Sequence, residues 1–114
     1  MTTDKYRNIS LDSADGQSMM ALINGDRGWL MYLRCNGDAG FSSRNLKYAG
    51  PASQVIEFAL DNGQVDEYPA SWTLPLEVVE MALKYFQNEA KPAPFVFWEN
   101  DSGDGMEIEF IASN

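Results

Sequence analysis

The sequence of 114 residues contains no histidine and only one cysteine. Without histidine the chain has no Ser-His-Asp or Cys-His nucleophilic site, lacks the commonest general base and cannot build most zinc sites. Cys35 cannot form an internal disulfide on its own. We therefore expect a cytoplasmic protein in which Cys35 is a small apolar residue at the end of a strand.

Long apolar runs and phosphate-binding motifs are also missing. No run of 18 apolar residues occurs, so no membrane span is predicted, and residues 1–12 lack the apolar centre of a signal peptide. No G-x-x-x-x-G-K-[ST] or G-x-G-x-x-G run occurs, and we expect no cofactor. The length and the hydrophobic content of 45% predict one globular domain over residues 1–114, with a core that needs no disulfide or metal.

Basic residues are scarce, above all in the second half of the chain. The net charge is −9. Residues 1–56 hold six bases and five acids, whereas residues 57–114 hold twelve acids and only Lys84 and Lys91. Nucleic acid and anionic membranes are poor partners for such a chain, whereas a basic protein is a suitable one. Solubility alone is the simpler explanation of the charge.

Turn signals and alternating apolar residues predict an antiparallel meander. Asn-Gly pairs at 24–25, 36–37 and 62–63 can supply the positive φ angles of tight hairpins. The predicted strands are 6–12, 19–23, 29–35, 41–43, 54–60, 65–68, 95–99 and 106–111, and the last two are expected to form a hairpin.

One amphipathic helix completes the predicted fold. It begins near residues 73–75, with Pro75 in its first turn, and stops before the Lys91–Pro94 segment. Its apolar face consists of Leu76, Val79, Ala82, Leu83 and Phe86. The fold class is therefore α+β, with an antiparallel sheet of about five to seven strands and the helix packed on one face.

Two groups of acidic residues invite a catalytic or metal-binding interpretation. Glu107 and Glu109 share a strand face, but a small sheet with one helix offers no cleft for carboxylate-pair catalysis, and a solvated face explains them better. The run Asn100–Gly105 is similar to a calcium loop. However, its twelfth position would be Ile111 instead of Glu, so a hairpin turn is favoured.

The three tryptophans have different expected roles. Trp29, inside a hairpin strand, is expected in the core. Trp72 precedes the helix and Trp98 ends a strand, so both could close the seam between helix and sheet. Alternatively, one of them is an aromatic anchor inside an acidic rim, because tryptophan is frequent at binding hot spots.

The chain resembles the first immunity-protein family of bacterial polymorphic toxin systems over residues 18–99. The resemblance is carried by the following residues: Tyr68-Pro69-Ala70-Ser71, Pro75, Val79, Ala82, Phe86, Pro94 and Trp98-Glu99. It implies a cytoplasmic, non-enzymatic antitoxin that binds and blocks a secreted toxin domain, often a nucleic-acid deaminase or a nuclease.

An acidic surface that occludes the toxin's active site agrees with this resemblance. The predicted partner-binding residues are Asp66, Glu67, Trp72, Trp98, Glu99, Asp101, Asp104, Glu107 and Glu109. The alternatives are an adaptor or chaperone-like binder of another basic protein, and a small-ligand protein or enzyme. The oligomeric state stays open, because an unpaired edge strand could dimerise or pair with a partner sheet.

Overall fold

The computed structural model of the chain describes residues 5–106 and confirms the predicted α+β fold, with one helix and mostly antiparallel strands. The strands are β1 (Tyr6–Asp12), β2 (Ser18–Asn24), β3 (Arg27–Leu33), β4 (Phe41–Arg44), β5 (Val55–Ala59), β6 (Val65–Pro69), β7 (Leu74–Pro75) and β8 (Phe97–Asn100). A 3₁₀ turn covers Ala70–Trp72, and helix α1 covers Leu76–Glu89.

The main sheet has the order β1-β2-β3-β4-β8, and the short strand β7 pairs with β3. The predicted hairpin of β2 and β3 is confirmed: Asn24 pairs with Arg27 across a two-residue turn. Gly25 in this turn has a φ of 61°, which glycine adopts without steric cost. The first four strands therefore form the expected meander.

Helix α1 covers one face of the main sheet. Its predicted apolar stripe is confirmed, because Val79, Ala82, Leu83 and Phe86 are buried against strand residues. Pro75 is the residue immediately before the first helical turn, and Ala90 ends the helix in a left-handed conformation. The helix is thus part of the scaffold, as its periodicity predicts.

The opposite face of the main sheet is partly covered by the β5–β6 hairpin, which forms a separate two-stranded sheet. Leu30 packs in the core under the helix, so its neighbour Trp29 points to the other face, where it stacks on Tyr68 of β6. The pattern of single strands does not predict this second layer.

Two asparagine side chains attach the hairpin to the main sheet. The Asn8 Nδ2 donates to the carbonyl oxygen of Ala59 at 3.1 Å, and the Asn24 Nδ2 donates to that of Glu57 at 2.7 Å. These carbonyls lie on the edge of β5 that does not pair with β6, so hydrogen bonds are made along both edges of β5.

The predicted strand 95–99 is observed two residues later, as β8, and it pairs with β4. Its expected partner, residues 106–111, lies outside the described residues after Met106. Within residues 5–106, α1 does not have the length and apolar character that would let a helix cross a membrane.

Candidate partner-binding surfaces

Trp72 belongs to a stack of aromatic rings closed by an arginine. The ring of Trp29 lies 4.3 Å from that of Tyr68 with an interplanar angle of 9°, and Tyr68 lies 6.0 Å from Trp72. The Arg44 guanidinium covers the Trp72 ring, with its Cζ 3.8 Å from the ring centroid. Trp72 therefore packs against an aromatic neighbour, Tyr68, and a cationic one, Arg44, which lie in segments distant from each other in sequence.

The inner end of this stack is core, as predicted for Trp29, which is 6% exposed. Its Nε1 is buried and has no hydrogen-bond partner among the described residues. A buried N–H without a partner costs about 1–3 kcal/mol, which the stacking and burial of the indole must offset.

Arg44 connects Trp72 to the predicted acidic residue Asp101. The Arg44 NH2 lies 3.8 Å from an Asp101 oxygen, and the Ser42 hydroxyl donates to the other oxygen at 2.6 Å. Burial lowers the pKa of the Arg44 guanidinium, and the nearby carboxylates of Asp101 and Glu99 oppose this effect. The structure thus brings Trp72 and Asp101 together through a residue that sequence reasoning did not select.

Trp98 lies on the opposite face of the β4–β8 pair. Trp98 is paired with Ser43, the neighbour of Arg44, and residues adjacent along a strand point to opposite faces. Its Nε1 donates to the carbonyl oxygen of Ala93 at 2.9 Å, and its ring lies 6.3 Å from that of the buried Tyr32. Trp98 therefore packs at the edge of the core, which was one of its two expected roles.

Asp104 is already bound within the protein. The Arg34 NH2 lies 2.9 Å from Asp104, and the Arg34 Nε lies 2.8 Å from Asp38. The backbone N–H of Met106 and the Asn100 amide hold the pKa of the Asp104 carboxyl well below its usual range, with a smaller contribution from Arg34. Arg34 therefore pairs with two carboxylates and offsets the charge of one of them.

Asp66 and Glu67 point to opposite faces of β6. Asp66 is half-buried and accepts hydrogen bonds from the Gln64 amide at 2.7 Å and from the Tyr68 hydroxyl at 3.3 Å. Glu67 is exposed and lies directly opposite Glu57 on β5. Sequence reasoning did not select Glu57, although counting outward from the turn at residues 61–63 pairs it with Glu67.

Glu57 and Glu67 form an opposed pair of like charges. The Leu60 N–H donates to the main-chain carbonyl oxygen of Gln64 at 2.8 Å, and the Ala70 N–H donates to that of Gln54 at 2.8 Å. Leu60–Gln64 and Gln54–Ala70 are therefore hydrogen-bonded pairs of the β5–β6 ladder. Since hydrogen-bonded pairs alternate along an antiparallel ladder, the Glu57–Glu67 pair is a non-hydrogen-bonded one, in which the side chains come closest. Opposed like charges are destabilising, by roughly 0.2–1 kcal/mol when the size of cross-strand pair effects is used.

Glu99 lines an open groove at β8. The groove has a volume of about 720 Å³, and its walls include Phe95 and Phe97, each 49% exposed. Glu99 and Glu67 are the two predicted carboxylates that are exposed and have no ion pair among the described residues. Glu107 and Glu109 lie outside the described residues.

The part of the chain that the structure describes has no group of three or more His, Cys, Asp or Glu side chains placed to hold a metal ion. Of the acidic residues predicted to bind a partner, some form ion pairs within the protein and others face solvent.

Comparison with known protein families gives one clear result. The family model described as immunity protein Imm1 matches residues 2–94. The match confirms the resemblance found in the sequence and extends it towards the N-terminus, but it ends before Trp98-Glu99. Comparisons with curated proteins and with solved structures find no match.

Proposed function

The chain belongs to the Imm1 family of immunity proteins, and on this basis we propose that it neutralises a toxin that acts on nucleic acid, by covering the toxin's active site with an acidic surface. The toxin would be a deaminase or a nuclease, and the encounter would take place in the cytoplasm of the protected cell. In this proposal the immunity protein acts by binding alone and needs neither a catalytic residue nor a cofactor.

The observation that carries the proposal is an unbroken stretch without basic residues. Residues 48–83 contain six acidic residues and no lysine or arginine. Of these six, only Asp66 is half-buried, and the other five are exposed: Glu57, Asp61, Glu67, Glu77 and Glu80. An enzyme that acts on nucleic acid presents a basic face to its substrate, so an acidic surface of this kind complements it.

Co-expression tests this proposal in cells. The toxin domain encoded by the gene immediately upstream should stop growth when it is expressed alone, and growth should recover when this chain is expressed with it. A catalytically inactive toxin domain is the control for toxicity. Loss of growth that this chain does not relieve would refute the proposed function.

Binding kinetics test the electrostatic part of the proposal. Electrostatic steering raises association rates by about 10- to 1,000-fold at low ionic strength. We therefore expect the association rate to fall at least about tenfold as salt rises from about 0.05 M to about 0.5 M, with a smaller change in the dissociation rate. A tight complex whose association rate ignores salt would contradict acidic-surface recognition. A chain that binds unrelated basic proteins equally well would instead be the adaptor considered as the alternative.

A further inference from the structure

The outer face of the β5–β6 hairpin is a sheet face that stays open to solvent in the described part of the chain. Val55 and Val65 on this face are 50% and 55% exposed. We call the face the hairpin face, and it consists of Val55, Glu57, Ala59, Val65, Glu67 and Pro69.

The hairpin face has a defined arrangement of apolar and acidic residues. Its cross-strand pairs form three rows: Val55 with Pro69, Glu57 with Glu67, and Ala59 with Val65. Successive rows on one face are separated by about 7 Å, twice the rise of a strand residue. Two adjacent carboxylates therefore lie between two apolar rows.

We propose that the hairpin face is the toxin-docking surface, and that it receives an arginine or lysine side chain of the toxin between Glu57 and Glu67. Two neighbouring carboxylates match the donors of a guanidinium or ammonium group. The methylene groups of the incoming side chain would pack against the exposed valines. This inference rests on the proposed function, because it names the surface that the toxin contacts.

Charge argues for this occupant over the others that could cover the face. A second copy of the chain would bring four carboxylates together, and nucleic acid would be repelled by them. A basic side chain instead relieves the repulsion between Glu57 and Glu67. Among the described residues the Glu57 carboxylate has one hydrogen bond, a long one of 3.4 Å from the Tyr6 hydroxyl, so this carboxylate is available to a partner.

The test compares two double variants that change the net charge equally. E57Q/E67Q removes both carboxylates of the hairpin face, and D26N/E89Q removes two exposed carboxylates that lie outside residues 48–83. Binding to the catalytically inactive upstream toxin domain is measured by surface plasmon resonance. We expect E57Q/E67Q to raise the dissociation rate at least about tenfold and D26N/E89Q to change the dissociation rate by less than about threefold.

A second comparison probes the apolar rows of the hairpin face. The V55S/V65S variant should weaken binding about fivefold or more, whereas M81S, at a position on helix α1 that is 57% exposed, should leave it unchanged. Circular dichroism and thermal melts check that all variants fold, which is expected since the replaced side chains are exposed.

The free protein supplies an independent readout of the opposed carboxylates. Without the toxin, E57Q/E67Q should melt about 2 °C higher than the wild type, because the like-charge repulsion is gone. Higher stability together with weaker toxin binding supports a face that is kept for binding.

Failure of this inference can be distinguished from failure of the proposed function. If the wild type binds the toxin and E57Q/E67Q binds equally well, the docking surface is elsewhere and only the inference is refuted. If the wild type does not bind or rescue, both are refuted. A dimer in analytical ultracentrifugation that E57Q/E67Q dissociates, with toxin binding unchanged, would assign the hairpin face to self-association and overturn the proposal.

Discussion

Replacing Gly28 with alanine tests how closely helix α1 is held against the main sheet. A Cβ at this position would lie 2.8 Å from Val79 Cγ2 and 3.3 Å from the Leu22 carbonyl oxygen. Val79 is completely buried, and a β-branched side chain in a helix has one strongly preferred rotamer, so it cannot turn away. The helix must therefore move away from β3.

The expected cost combines two opposing effects. Overpacking a core costs about 1–3 kcal/mol. Replacing glycine at an ordinary φ angle returns about 0.4–1 kcal/mol, because the unfolded chain loses freedom. We expect Gly28→Ala to lower the free energy of unfolding by about 1–2 kcal/mol, measured by urea denaturation with tryptophan fluorescence.

A double-mutant cycle makes the test specific to this contact. Val79→Ala alone should cost about 2–3 kcal/mol, from two lost methyl groups and the cavity they leave. In Gly28→Ala/Val79→Ala the clash disappears and the new methyl group fills part of the cavity. The double variant should therefore be about 1–2 kcal/mol more stable than the sum of the two single-variant losses in free energy of unfolding predicts. Val96→Ala, which truncates another buried valine, is the control. Its effect on the free energy of unfolding should add to the effect of Gly28→Ala. Additivity of the Gly28 and Val79 effects within about 0.5 kcal/mol would refute this account of the helix–sheet contact.

Three further predictions concern other parts of the scaffold. The Arg34 guanidinium holds the pKa of the Asp38 carboxyl well below its usual range. The stabilisation of the fold by this ion pair is therefore fully present above the unfolded pKa of about 3.9 and is lost as the pH falls below that value. Between about pH 5 and pH 2 the melting temperature of Asp38→Asn should drop less than that of the wild type, and equal drops would contradict this account. Gly40→Ala should cost about 3 kcal/mol or more by denaturant unfolding, since φ is +82° and the new Cβ meets backbone, whereas Gly16→Ala, with φ of +92° and open space, should cost only about 1–2 kcal/mol. Arg44→Lys should lower stability by about 1 kcal/mol in the same assay, because an ammonium cannot stack on the indole as a guanidinium does; an unchanged midpoint would show that the stacking contributes nothing.

Local signals predicted most of the elements in the described part of the chain. The Asn24-Gly25 turn and the apolar runs beside it fix the β2–β3 hairpin, because the turn and the two strands are contiguous in sequence. The helix followed from its 3.6-residue period and from Pro75 at its start. Both signals lie within a few residues of the structure they specify.

The arrangement of the site could not be predicted in the same way. That the β5–β6 hairpin leaves the main sheet depends on contacts of Trp29 with Tyr68, which are distant in sequence. That Arg44 lies between Trp72 and Asp101 depends on how three separate segments pack. Charge alone therefore selected Asp101 and Asp104, whose carboxylates the fold already engages, and did not select Glu57.

The attachment of the hairpin by Asn8 and Asn24 has a consequence for how this surface can evolve. Both amides bind main-chain carbonyl oxygens of β5, which every residue type possesses. The Glu67 side chain takes no part in that attachment, and the Glu57 side chain adds only a long hydrogen bond of 3.4 Å from the Tyr6 hydroxyl of β1. Substitutions at these two positions leave both asparagine contacts intact, so the hairpin face can change its chemistry while the scaffold beneath it stays the same.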